Sequence, residues 1–224
     1  MWVWYNFNVK NRDYKNFAPG GIYHVFNRGV NKNVIFNDED DFLVFLSRLK
    51  ENLFPDLMNK SKLAWVEKRR KLLPPNSFDL ICYCLMPNHF HLLIQQKTDL
   101  PVAKIVSKVC TSYSMYFNKK YGRIGTLFQD RFRAVLVESN EQLLWTSYYV
   151  HQNPIEGGLT DNLRDYKWSS YSEYFDSHSS LKICKTEIIN NQFHSGDQYL
   201  KYFEGQEITN VAPLQGLYFD FDED

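Results

Sequence analysis

The sequence predicts an α+β fold: an antiparallel sheet with helices on one face, followed by a small C-terminal helical extension. Three observations predict it. Hydrophobic periods of two and of 3.6 alternate along the chain in the order strand, helix, hairpin, helix, strand, helix. The two central strands flank only Met86-Pro87-Asn88, a connection short enough to make them an antiparallel hairpin. Hydrophobic residues make up 44% of the 224, which is enough for a real core. An antiparallel sheet covered by helices buries such a series of elements.

Each element follows from local signals. Gly20 and Gly21 precede the β-branched and aromatic run Ile22-Tyr23-His24-Val25-Phe26, a strand ended by Asn27-Arg28-Gly29. Asn37 is the expected N-cap of a helix with acids in its first turn. Phe42, Phe45, Leu46, Leu49 and Leu53 form the apolar face of that helix, and Pro55 stops it. Residues 57–77, rich in Lys, Arg and Asn, read as an insertion. Phe78 to Leu85 is an apolar run with the character of a buried strand, and His89 to Gln95 is its partner. Asp99 is the expected cap of a helix with Pro101 near its start and Gly122 past its end. Phe132 to Glu138 reads as the last strand. Ser139 and Gln142 have capping-box spacing for a helix that Pro154 ends. The chain divides into a main domain, 1–176, and an extension, 177–224, with the acidic tail FDFDED.

Composition excludes several classes. Basic and acidic residues number 26 each, so net charge makes no case for a polyanionic partner. Cys82, Cys84, Cys110 and Cys184 have neither metal-finger nor C-x-x-C spacing, and a reducing cytoplasm is the expected compartment. The N-terminus lacks the pattern of a secretion signal, and no apolar run reaches membrane-spanning length, so no membrane partner is expected.

The chemistry lies in His89-Phe90-His91. Strand residues i and i+2 share a face, so both imidazoles project together, as half of a metal site would require. Tyr149 and Asn153 lie one turn apart on the last helix, with Thr146 and Gln142 continuing an unusually polar face. An amide oxygen can be a third ligand and the tyrosine a nucleophile. Tyr148 and Gln152 form a second pair with the same spacing, about 100° around the helix, and spacing alone does not choose between them. Basic residues gather between Lys97 and Val137. Lys104, Lys108, Arg123, Arg131 and Arg133, together with Arg28, are candidate contacts for a phosphate backbone, with interleaved aromatics available to stack on bases.

Several segments together resemble the REP-associated tyrosine transposases, a branch of the one-tyrosine HUH transposases. They are Tyr23-His24-Val25 with Asn27-Arg28-Gly29, Leu85 to Leu93 (LMPNHFHLL), Tyr121 to Phe132 (YGRIGTLFQDRF), Tyr149 to Pro154 (YVHQNP), and Trp168-Ser169-Ser170-Tyr171. They run in family order across residues 20 to 175. The resemblance implies a ferredoxin-like sheet, as the element order suggests. It implies that His89 and His91 hold a divalent cation, Mg²⁺ or Mn²⁺. The family's nucleophile stands five residues before the proline of an Asn-Pro pair, a register that selects Tyr149, and Asn153 becomes the third ligand. The insertion and the extension lie outside the shared core.

The expected reaction is metal-dependent cleavage and rejoining of single-stranded DNA at hairpin or palindromic repeats, through a 5′-phosphotyrosine link. A bacterial cytoplasmic protein, monomer or homodimer, is expected. A tyrosine with a pKa near ~10 is protonated at neutral pH and needs activation. His24 is a candidate base by its place in the sheet, with packing or hydrogen bonding as the alternative. Three rivals are a catalytically inactive DNA-binding regulator of the same fold, a metallohydrolase using water, and an HUH replication or mobilisation nuclease.

Overall fold

The computed structural model describes residues 17–59, 72–174 and 182–193. Four strands form one sheet: β1 (Ile22–Arg28), β2 (Phe78–Met86), β3 (His89–Gln96) and β4 (Arg133–Val137). Their order is β2-β3-β1-β4, and every neighbouring pair is antiparallel. Helix α1 (Glu39–Leu53) leads from β1 towards β2, and α3 (Val102–Lys120) connects β3 to β4. This is the split βαβ arrangement of a ferredoxin-like sheet.

One face of the sheet presents Tyr23, Val25, Phe90, Leu92 and Ile94. Against it pack Phe42, Phe45, Leu46 and Leu49 of α1 and Ile105, Val106, Val109 and Tyr113 of α3. The expectation of helices on one face holds for this pair alone. Helix α4 (Asn140–Glu156) covers the opposite face, burying Leu143, Trp145, Tyr148 and Val150 against Ile81, Cys82, Cys84 and Leu93. The reason lies in β2. Its run from Leu80 to Met86 is apolar on both sides, and a strand apolar on both sides must be covered on both.

Three boundary signals resolve differently from expectation. Asp38, not Asn37, caps α1, accepting from the Asp41 amide, while Asn37 donates its own amide to the Asp41 carboxylate. Asp99 does not cap α3. Gln96, at the end of β3, reaches forward and accepts from the Val102 amide at 3.1 Å. Pro154 lies inside α4, in its last turn, and the helix continues to Glu156. The Ser139–Gln142 pair forms as expected: Ser139 Oγ accepts from the Gln142 amide, and Gln142 Oε1 accepts from the Glu138 amide.

Buried Asp41 ties the start of α1 to the end of α3. Its carboxylate accepts from Lys120 Nζ at 2.9 Å and from the hydroxyls of Tyr116 and Tyr121. Short helix α2 (Pro55–Asn59) enters the proposed insertion, of which residues 60–71 lie outside the described residues. In the extension, residues 182–193 carry the short helix α5 (Glu187–Asn190). They dock on the sheet: Lys185 donates its amide to Leu80 O, and Ile189 is buried in the same layer as α4. The acidic tail lies outside the described residues.

Candidate active site

The face of the sheet under α4 carries the histidines. Antiparallel pairing sets Arg28 opposite His89 and Phe26 opposite His91, and directly opposed residues share a face. His24, two residues before Phe26, joins them. The rings of His89 and His91 lie 5.0 Å apart and nearly perpendicular. The rings of His24 and His91 lie 5.2 Å apart and nearly parallel, with His24 Nε2 at 3.0 Å from His91 Nδ1. On the other side of the pair, His89 Nδ1 lies 2.6 Å from Asn88 Oδ1.

Helix α4 presents Tyr149 to this group. Its ring meets His91 and His24 edge-on, with centroids at 5.5 Å and 5.9 Å. Tyr148 turns the other way, is 4% exposed, and packs edge-on against Trp145 within the core. Of the two tyrosine–amide pairs that spacing leaves open, the one whose tyrosine faces the histidines is therefore Tyr149–Asn153. Asn153 is buried, and its Nδ2 donates to Tyr149 O at 2.8 Å, which leaves its Oδ1 able to accept from or ligate a further group.

Burial sets the charge state of the site. His91 is wholly buried, which holds it well below the usual histidine range, and its His89 and His24 neighbours push the same way. Burial lowers His24 to about 3. Both are thus neutral near pH 7, the form in which imidazole offers a lone pair to a cation. His24 is engaged with His91 through Nε2, so of the two roles weighed for it the geometry supplies the hydrogen-bonding one. Among the described residues, no three of His, Cys, Asp and Glu are grouped to hold a metal ion. A ligand set of two imidazoles and one amide oxygen falls outside that class and fits a divalent cation chemically.

The basic candidates separate. Arg28 and Arg133 lie on the histidine face, Arg133 opposite Phe26 on β4. Exposed Arg131 lines an open cleft of about 740 Å³ with Asn27, Asn118 and Phe128, beyond the end of β1. Arg123 stacks over Phe117, its guanidinium carbon 5.5 Å from the ring centroid. Lys104 and Lys108 lie in a groove beside α1, with Arg48 and Glu51, across the sheet from the histidines. Asn88 is the site residue that sequence reasoning missed. Its signal is its position, next to His89 in a turn whose side chain can reach back.

Residues 43–153 match the family model described as transposase IS200 like. A Haemophilus influenzae protein named as a REP-associated tyrosine transposase is 24% identical over 168 residues, covering 70% of this chain and 83% of the relative. The solved structure of a REP-associated tyrosine transposase bound to a REP hairpin superposes with a TM-score of 0.51 at 11% identity. It covers 77% of this chain and 84% of the other. Among the described residues, no helix is long and apolar enough to cross a membrane.

Proposed function

We propose that this chain, a relative of the IS200-like and REP-associated tyrosine transposases, cleaves and rejoins single-stranded DNA beside a hairpin repeat, with Tyr149 as nucleophile. The observation that carries the reading is the seating of the Tyr149 ring against His91 and His24, on the sheet face that also presents His89.

His89, His91 and Asn153 are the residues that would hold a divalent cation, Mg²⁺ or Mn²⁺. When bound, such an ion supplies charge neutralisation and orientation of the scissile phosphate. The Tyr149 oxygen attacks phosphorus in line and gives up its proton. The bond from phosphorus to the 3′ oxygen of the departing strand breaks, and that oxygen is protonated to a free 3′-OH. The strand downstream stays on the enzyme as a 5′-phosphotyrosine ester. A 3′-OH attacking the same phosphorus reverses these steps, rejoins DNA and returns the tyrosine, so the bond energy is conserved without a nucleotide cofactor. Arg28 and Arg133 stand on the face where the phosphate backbone would pass.

The test is an oligonucleotide carrying a REP-type hairpin with single-stranded flanks, incubated with Mg²⁺ or Mn²⁺. A covalent protein–DNA adduct is expected, lost in Tyr149→Phe and kept in Tyr148→Phe. Adduct that persists in Tyr149→Phe but vanishes in Tyr148→Phe reverses the assignment. Multiple-turnover cleavage by Tyr149→Phe would indicate water as nucleophile. Metal-independent binding with no adduct on any hairpin would indicate a DNA-binding regulator.

A further inference from the structure

We infer that Asn88 and His24 are positioning residues that turn the Nε2 atoms of His89 and His91 towards a shared ion; this rests on the metal reading proposed above. Each histidine of the pair has its Nδ1 engaged by a different partner, and the two partners arrive from different elements.

For His89 the partner is Asn88. The Asn88 amide nitrogen donates to Lys32 O at 3.3 Å, so its Oδ1 is the atom that faces His89 Nδ1 at 2.6 Å. An amide oxygen only accepts, so the imidazole proton sits on Nδ1 and the lone pair on Nε2. Asn88 is itself held from behind. Gly29 donates its amide to Asn88 O at 2.8 Å, and Ile35 and Phe36 both donate to Pro87 O. The acceptor Lys32 O lies in a turn where Asn31 and Lys32 both take left-handed φ, 53° and 59°. Such conformations in non-glycine residues persist where the surroundings over-determine them, as at ligand clamps.

For His91 the partner is His24. An ion on His91 Nε2 requires the His91 proton on Nδ1, and the group at 3.0 Å to accept it is His24 Nε2. His24 is 0% exposed, and its Nδ1 has no hydrogen-bond partner among the described residues. A buried polar atom without a partner costs stability, so packing alone does not account for a histidine at this position. Its chemistry is explained by what it does for His91. Ligating histidines commonly donate their second ring N–H to an outer partner that fixes tautomer and orientation.

The test uses the full chain and Mn²⁺ alone, with free Mn²⁺ followed by electron paramagnetic resonance. His24→Leu and Asn88→Ala are expected to weaken Mn²⁺ binding by roughly 10–100-fold, the range for loss of such partners. His24→Gln and Asn88→Asp, which keep an acceptor oxygen, are expected to recover most of that loss. Thermal melts in the absence of metal supply the readout that a structural role would move: His24→Gln, which keeps an acceptor for His91, melts close to the wild type. Imidazole ¹⁵N spectra of the metal-free wild type should show the His89 proton on Nδ1. Wild-type Mn²⁺ affinity in His24→Leu and Asn88→Ala, or no recovery by the acceptor-keeping variants, overturns the inference while leaving the metal reading intact. A wild-type chain that binds no Mn²⁺ overturns the metal reading, and this inference with it.

Discussion

The ring of Tyr149 meets that of His91 edge-on, with planes 88° apart and centroids at 5.5 Å. Phenylalanine preserves this contact and removes only the hydroxyl, so Tyr149→Phe separates chemistry from packing. Its unfolding free energy is expected to stay within about 0.5 kcal/mol of the wild type, while adduct formation on a hairpin oligonucleotide disappears. Denaturant titration beside the adduct assay checks both halves. A large loss of stability would mean that the hydroxyl serves the fold, and that loss of adduct in this variant says nothing about the nucleophile.

Acid should destabilise the protein through its buried histidines. His151 is buried beside Tyr171 and Tyr174, with Nε2 at 2.9 Å from Ser170 Oγ, and burial lowers it to about 3. Its unfolded value is about 6.5. Between those values the unfolded chain binds one proton more than the folded chain, so the stability His151 contributes is present above about 6.5 and is lost as pH falls through that window. The slope is about 1.4 kcal/mol per pH unit for each such histidine. His151→Gln can still hydrogen-bond Ser170 and should flatten the pH dependence of the urea midpoint between pH 4 and 6.5 by one proton. An unchanged slope would remove His151 from the acid response.

How much of this was legible in the sequence varies from residue to residue for physical reasons. The strands and helices of the sheet domain follow from periodicity, because the side chains that repeat, such as Phe42, Phe45 and Leu49, are the ones that pack. The His89–His91 face follows from strand geometry alone. Caps were less legible: Asn37 and Asp38 are both good capping residues, and only backbone conformation decides. Gln96 capping α3 from the preceding strand is a contact across the β3–α3 connection that no local motif announces. The second covered face was readable in β2, whose apolar run does not alternate, but period-based reading treated that run only as buried. Tyr148 and Tyr149 are equivalent by spacing, and the rotation of α4 on the sheet decides which one meets the histidines.

Gly29 is required where β1 gives way to the turn that supports Asn88. A Cβ there would lie 2.1 Å from Asn33 O and 2.8 Å from Ile35 Cγ2. The first is a backbone atom, so the turn must move. Gly29→Ala is therefore expected to cost about 1–3 kcal/mol, the range for overpacking, and to disturb the Gly29 amide bond to Asn88 O. Thermal unfolding measures the first effect and hydrogen exchange of the Gly29 amide position the second. Wild-type values in both would show that the turn absorbs the methyl group.

The basic candidates divide by face, and the division predicts salt behaviour. Arg133 lies on the strand edge beside Phe26, on the side of the sheet that carries the histidines, whereas Lys104 and Lys108 point into the groove beside α1 on the other side. If DNA tracks the histidine face, Arg133→Ala should weaken hairpin binding alike for matched and mismatched flanks. It should also lower the slope of log affinity against log salt by about 1, as for one lost phosphate contact. The double variant Lys104→Ala with Lys108→Ala should leave both quantities unchanged, since their ammonium groups lie across the sheet from the site. Fluorescence anisotropy with a hairpin oligonucleotide across a salt series measures both variants. Loss of affinity in the lysine pair with no effect at Arg133 would put the DNA path over the α1–α3 side, and would separate the surface that grips the hairpin from the face that carries Tyr149.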